Sequence, residues 1–202
     1  MINNCRVCGS KYFDKELLSY RNMPSSAQGF LKREDLQDET GSNITIVQCE
    51  KCGLIQLDNP PVSYYKEVIR SSAFSEEMRE FRFDQFKSWI KKYKLENKKI
   101  LEVGCGKGEY LEILANSGVN AFGVEYSKQS VNYCNKNNLV ATRGFLGDEG
   151  LSLLNQPFDG FMCLSFMEHW PNPNKVLHSL SENLVEGAIG VIEVPNFDMI
   201  LD

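Results

Sequence analysis

Absences narrow the reading of this chain first. No apolar run in its 202 residues approaches the roughly 20 needed to cross a bilayer. Met1-Ile2-Asn3-Asn4 has neither the basic start nor the apolar stretch of a secretory leader, so the cytoplasm is the expected compartment. A basic surplus is also missing: 22 Lys and Arg face 27 Asp and Glu, for a net charge of −5. That balance weighs against a nucleic-acid partner, whose phosphates want a basic face. Histidine is scarce, at two residues, and no internal repeat or low-complexity tract interrupts the chain. What remains is 42% hydrophobic and 24% charged, ordinary for a soluble globular protein. The length suits one medium domain, or a small domain followed by one of modest size.

Cysteine, by contrast, is plentiful. Seven cysteines form an odd set without a secretion signal, which speaks against a disulfide framework. Four of them fall in two near-symmetric pairs, Cys5-Arg6-Val7-Cys8-Gly9 and Cys49-Glu50-Lys51-Cys52-Gly53. Four thiolates in that pattern can hold a zinc ion tetrahedrally with no position left open, so the site builds structure and does no catalysis. The glycine after each pair permits a positive φ that turns backbone amides toward the sulfurs. Metal ligands are therefore expected at Cys5, Cys8, Cys49 and Cys52. Four unmetallated thiols, or a redox pair, are the weaker readings, the latter because neither pair opens a helix after a strand.

Three regions are expected: a zinc-binding domain over residues 1–61, a connecting helical segment over 62–97, and a larger α/β domain over 98–202. In the first, residues 44–48 and 54–57 read as short strands and 34–43 as a polar loop, with Asn59-Pro60-Pro61 closing the region. Ser75 caps a long helix whose first turn carries Glu76 and Glu77. Met78, Phe81, Phe86, Trp89, Ile90 and Tyr93 recur along it as an apolar packing face tying the small domain to the larger one. Strands and helices then alternate. Strands are expected at 100–103, 121–124, 140–144, 158–166 and 189–194. The helices between them include 109–115, one capped by Ser127, and one with Asn172 as N-cap, Pro173 at its first position and Gly187 at its end. The pattern predicts a Rossmann-like parallel sheet with helices on both faces, preceded by the zinc domain.

The chemistry-bearing motif sits where the first of those strands meets its helix: Glu102-Val103-Gly104-Cys105-Gly106-Lys107-Gly108. Glycines there let the backbone approach a ligand at the carboxyl edge of a parallel sheet. Glu109 stands where a dinucleotide fingerprint has its last glycine, so the turn has the S-adenosylmethionine form rather than the NAD form. Glu125 closes the next strand about twenty residues on, where a carboxylate accepts hydrogen bonds from both ribose hydroxyls. Its alternative is a solvated loop acid. Tyr126 can lie along the adenine. Phe145, after the third strand, and Ser165 and Phe166, at the end of the fourth, join Glu102, Gly104, Cys105, Gly106, Gly108, Glu125 and Tyr126 as expected cofactor contacts. Glu168 and His169 follow at the edge where donor and acceptor should meet. His169 is a general base near neutral pH or, alternatively, a structural residue packed beside Trp170. His178 reads as structural.

Together these residues resemble the class I S-adenosylmethionine-dependent methyltransferases, and within them the zinc-containing C-methyltransferases of nucleotide-linked deoxysugars. The similarity runs through the two cysteine pairs, Asn22-Met23-Pro24, Arg70-Ser71-Ser72, the glycine turn, Glu125, Glu168-His169 and Glu193-Val194-Pro195-Asn196. The resemblance implies a base that removes a proton beside a sugar ketone, after which the enolate attacks the cofactor's methyl group. It makes His169 a candidate for substrate binding or proton transfer. Three features depart from the group. Cys105-Gly106 stands where an Asn-Asp pair is common, Ile69 stands where a tyrosine is common, and the chain stops at Asp202 where members continue into a C-terminal domain. A piece of a longer enzyme is therefore expected. An O- or N-methyltransferase acting on another small molecule is the second reading, and a zinc-bearing nucleic-acid modifier or adaptor the third.

Overall fold

A computed structural model of the chain describes residues 2–24, 32–34, 37, 40–67 and 75–196. The Arg70-Ser71-Ser72 motif and Ile69 lie outside the described residues. The chain divides into two compact units, one of residues 1–69 with 171–174, the other of residues 70–170 with 175–202.

The first unit holds a three-stranded antiparallel sheet in the order β1 (Leu18–Met23), β2 (Ser42–Gln48), β3 (Ile55–Leu57). Leu18 pairs with Ile46, and Ile46 with Leu57, fixing the register. Strand β1 was not expected. Its residues are almost all exposed, so it lacks the alternation of a half-buried strand, and a register shift between Tyr20 and Met23 breaks its ladder. The expected polar loop is also shortened, because Ser42 and Asn43 belong to β2. Polar residues pair there because the strand's backbone, rather than its side chains, is what β1 recruits.

The second unit opens with α1 (Glu76–Tyr93), where the Ser75 hydroxyl accepts from the Met78 amide at 3.2 Å as the capping signal predicts. The expected apolar face is corrected in part. Phe86, Trp89 and Ile90 are buried, but Met78, Phe81 and Tyr93 are exposed. Arg82 is buried instead, since its guanidinium forks onto Glu193 with both N–O distances at 2.7 Å and lies 5.3 Å from the centre of the Tyr110 ring. Phe81 and Tyr93 pack against the cations of Arg82 and Lys92 on the outer side.

A five-stranded parallel sheet follows, made of β4 (Lys99–Val103), β5 (Asn120–Glu125), β6 (Ala141–Arg143), β7 (Phe158–Leu164) and β8 (Leu184–Glu193). Their spatial order is β6-β5-β4-β7-β8, all parallel. Between them run α2 (Glu109–Asn116), α3 (Lys128–Lys136) and α4 (Pro173–Glu182). The register aligns Ile100 with Ala121 and Gly160, and Glu102 with Gly123 and Met162. On that face Ile100, Met162 and Leu164 pack with Phe86 and Trp89 of α1 and Ile113 and Leu114 of α2, while Leu111 of α2 and Cys134 of α3 continue the cover toward Ala141. On the opposite face Val103 and Val124 share a cleft with Val176 of α4. Helices therefore cover both faces, as a buried parallel sheet requires.

Several boundaries differ from expectation, among them the start of β8, at Leu184 rather than 189. β7 ends at Leu164 rather than 166, because Ser165 turns to a φ of 50° and the chain winds into a short 3₁₀ turn over Met167–His169. Gly187 does not end the last helix. α4 stops at Glu182, where the Asn183 amide and carboxamide satisfy the carbonyls of Leu180 and Ser179. Gly187 instead lies inside β8, with a φ of 76°. There the pairing jumps from Phe158–Leu184 to Gly160–Ile189, and the positive φ accommodates the bulge.

Candidate functional site

The strand order dictates where a ligand can sit. From β4 the chain moves outward through β5 and β6, then returns to β7 on the other side of β4, so the crossovers diverge at the carboxyl ends of β4 and β7. The glycine turn follows β4 at that point. Gly104, Gly106 and Gly108 take φ values of 73°, 56° and 88°, a region that disfavours side chains. A Cβ on Gly104 would meet the Phe166 ring at 2.6 Å, and one on Gly108 would meet Leu139 at the same distance. The turn is therefore a bare-backbone cradle by necessity.

Glu125 ties the cradle together. Its two carboxylate oxygens accept from the Gly106 amide at 3.1 Å and the Ser127 amide at 2.7 Å. A carboxylate offers about four lone-pair sites, so acceptor capacity remains for two hydroxyls. A narrow cleft lies beside it, lined by Gly104, Glu125, Tyr126, Phe145, Phe166 and Trp170 among others. Phe166 stands edge-on to Phe145 and to Trp170, with ring centres 6.1 and 6.3 Å apart. The residues present suit S-adenosylmethionine: open backbone for the methionine portion, a carboxylate for ribose, and aromatic and aliphatic walls for adenine.

Of the expected cofactor residues, Gly104, Glu125, Tyr126, Phe145 and Phe166 line this cleft. Gly106 reaches it through its bond to Glu125, and Gly108 caps α2. Glu102 and Cys105 are buried beneath the turn, so Cys105 can offer a ligand only its backbone. Its thiol, hydrogen-bonded to Cys134 and desolvated, is pushed well above the ordinary range and stays neutral. Ser165 is exposed at the end of β7, its amide bonded to the Glu193 carbonyl. Glu168 and His169 sit on the 3₁₀ turn just beyond, exposed and half-buried respectively, outside the cleft. His178 is a surface residue 3.4 Å from Glu182. Sequence reasoning missed Trp170, Leu146 and Val176 as walls. Only Trp170, a bulky aromatic directly after His169, carried a signal that could have found it.

In the first unit, Cys5, Cys8, Cys49 and Cys52 bring their sulfurs within 4.8 Å of one another. The two knuckles repeat one geometry. Cys5 and Cys49 donate their amides to Ser10 and Leu54, while Gly9 and Gly53 donate back to Cys5 and Cys49. Gly9 and Gly53 take the positive φ that this turn requires, 72° and 75°. Sulfur separations of 3.7 Å (Cys5–Cys52) and 3.4 Å (Cys8–Cys49) are close to the roughly 3.8 Å edge of a tetrahedron with 2.3 Å zinc–sulfur bonds. Hydrogen bonds from Ser10, then from Cys49, bring the Cys8 thiol down to about 6. At Cys52 the Leu54 amide favours the thiolate, but desolvation and the neighbouring sulfurs push it up to about 12. The four-sulfur donor set and its spacing suit a zinc ion.

Comparison with known proteins bears on the parallel-sheet unit. The family described as "Methyltransferase domain" matches residues 78–200. A ubiquinone biosynthesis O-methyltransferase of Alkalilimnicola ehrlichii is 31% identical over 99 residues, covering 46% of this chain and 40% of that protein. One of Dechloromonas aromatica is 32% identical over 100 residues, covering 46% and 43%. The chain thus spans less than half the length of these curated relatives. In fold it is similar to the plantazolicin methyltransferase BpumL in complex with SAH, with a TM-score of 0.51 and 22% identity over 69% of this chain and 53% of that one.

Proposed function

We propose that this chain, which belongs to the methyltransferase-domain family, transfers a methyl group from S-adenosylmethionine to a small molecule, and that the acceptor is a carbon of a nucleotide-linked deoxysugar. The observation that carries the transfer is the Glu125 carboxylate joined to the glycine turn at the edge where β4 and β7 diverge. The resemblance of the paired cysteines and the glycine turn, in this order, to the zinc-containing C-methyltransferases supports the choice of acceptor.

The cofactor supplies an electrophilic methyl carbon on a positively charged sulfur and leaves as S-adenosylhomocysteine. The chain binds and orients it. Backbone at Gly104, Cys105, Gly106 and Gly108 meets the methionine portion, with Glu102 beneath the same turn. Glu125 would accept from the ribose hydroxyls, with Tyr126 on the adenine side; Phe145 and Phe166 complete the walls, and Ser165 stands exposed at the end of β7, next to Phe166 in the chain. Glu168 and His169, on the turn after β7, face the acceptor side. His169 takes the proton from the carbon beside the sugar ketone, which leaves an enolate to attack the methyl group. Cys5, Cys8, Cys49 and Cys52 hold zinc as a closed structural site that leaves no position open for chemistry. Among the described residues no helix is long and apolar enough to cross a membrane.

A second reading, O-methylation of another small molecule, is favoured by the naming of relatives as ubiquinone biosynthesis O-methyltransferases. Incubation with methyl-labelled cofactor and either a nucleotide-linked ketosugar or a phenol separates the two, because carbon NMR tells a C-methyl from an O-methyl product. Label on sugar carbon is expected. Label only on phenol oxygen would replace the first reading with the second.

A further inference from the structure

We propose that Trp170 is a further cofactor-binding residue, its indole N–H donating to an acceptor atom on the nucleoside of bound S-adenosylmethionine. The inference rests on the cleft being the cofactor site, as read above.

Trp170 is 5% exposed, and its Nε1 is fully buried with no hydrogen-bond partner among the protein groups. Most buried polar atoms in a folded protein are paired, so an unpaired one at a ligand cleft points to an acceptor supplied by the ligand. The surroundings define which part of the ligand that is. Trp170 lines the cleft with Glu125, Tyr126, Phe145, Leu146 and Val176. Those apolar walls beside a carboxylate suit an adenine ring and ribose, which carry nitrogen and oxygen acceptors. They do not suit the charged amino-acid end. The ring is held for this task, since Phe166 packs edge-on against it at 86° and the Trp170 amide bonds to the Met167 carbonyl at 3.1 Å.

The chain contains its own control. Trp89, the second tryptophan, also buries an unpaired Nε1, but it sits among Phe86, Ile90 and Leu114 in the core under α1 and lines no part of the cleft. Trp170→Phe keeps the apolar ring and deletes the donor. It is expected to weaken S-adenosylhomocysteine binding roughly tenfold, the loss of one well-made hydrogen bond, while the apo protein melts no lower than wild type. Trp89→Phe is expected to leave affinity unchanged. In the Trp89→Phe protein Trp170 is the only indole, so its emission must change as S-adenosylhomocysteine is added, a readout that holds even if Trp170→Phe fails to fold. Affinity of Trp170→Phe within twofold of wild type, or unchanged emission at saturation, would overturn the contact. Failure of the wild-type protein to bind S-adenosylhomocysteine would instead reject the cofactor site itself.

Discussion

Among its described residues, the cysteine-bearing unit buries only Val47 among ordinary apolar side chains, together with the ligand-type Cys5 and Cys49. The parallel-sheet unit buries Ile100, Leu101 and Val103 along β4 and Met162, Cys163 and Leu164 along β7, then covers them with Phe86, Leu111, Leu114 and Leu180 from its helices. The two units thus reach order by different means. The sheet unit draws on apolar burial, which grows with the number of layers packed. The cysteine unit leaves Leu18, Tyr20, Ile55 and Leu57 exposed on its strands, little core for a domain of that size, and a metal at the sulfur cluster would supply the order that apolar burial does not. The contrast also divides the chemistry. A closed tetrad would contribute only stability, whereas the carboxyl edge of the sheet is where the proposed binding and transfer would take place.

Chelation should break the comparison most visibly. Metal removal, or Cys49→Ser, is expected to cost the cysteine unit about 10 kcal/mol, the scale of a structural zinc site, and so to abolish its calorimetric transition along with the bound zinc. The transition of the sheet unit should persist. A protein that keeps both transitions and its metal content after Cys49→Ser would place the stability of that unit elsewhere. The reciprocal experiment targets the sheet unit: Leu114→Ala empties a fully buried position and is expected to cost about 2–5 kcal/mol in denaturant titration. Zinc content should not change. The smallest effect is expected from Ser75→Ala, which removes the cap on α1 and should lower the sheet unit's stability by about 1 kcal/mol, measurable as a shift in its melting temperature.

The same division explains how far the sequence could be read. The sheet unit was legible because its strands are apolar runs bounded by turn residues, and because Ser75, Ser127 and Pro173 mark helix starts that the structure keeps. Glu125 stood out because a carboxylate closing a strand after a glycine turn has a specific chemical use. The errors lie where side-chain pattern and backbone need diverge. β1 went unseen because its exposed residues carry no periodicity, and Gly187 was mistaken for a helix stop because a bulge and a helix end both call for a positive φ. Burial of Arg82 in place of Phe81 could not be read locally, since its partner Glu193 lies 111 residues away. Trp170 was passed over for a related reason: an indole's role depends on where its N–H finds an acceptor, which no spacing rule reveals.

Calorimetric titration with S-adenosylhomocysteine tests the proposed cofactor cleft beside Glu125 most directly. Wild-type protein is expected to bind saturably with one site per chain. Glu125→Gln, which keeps the shape but loses the charge and one acceptor, should bind about tenfold more weakly. Absence of saturable heat with the folded wild-type protein, or equal affinity for both proteins, would contradict the assignment.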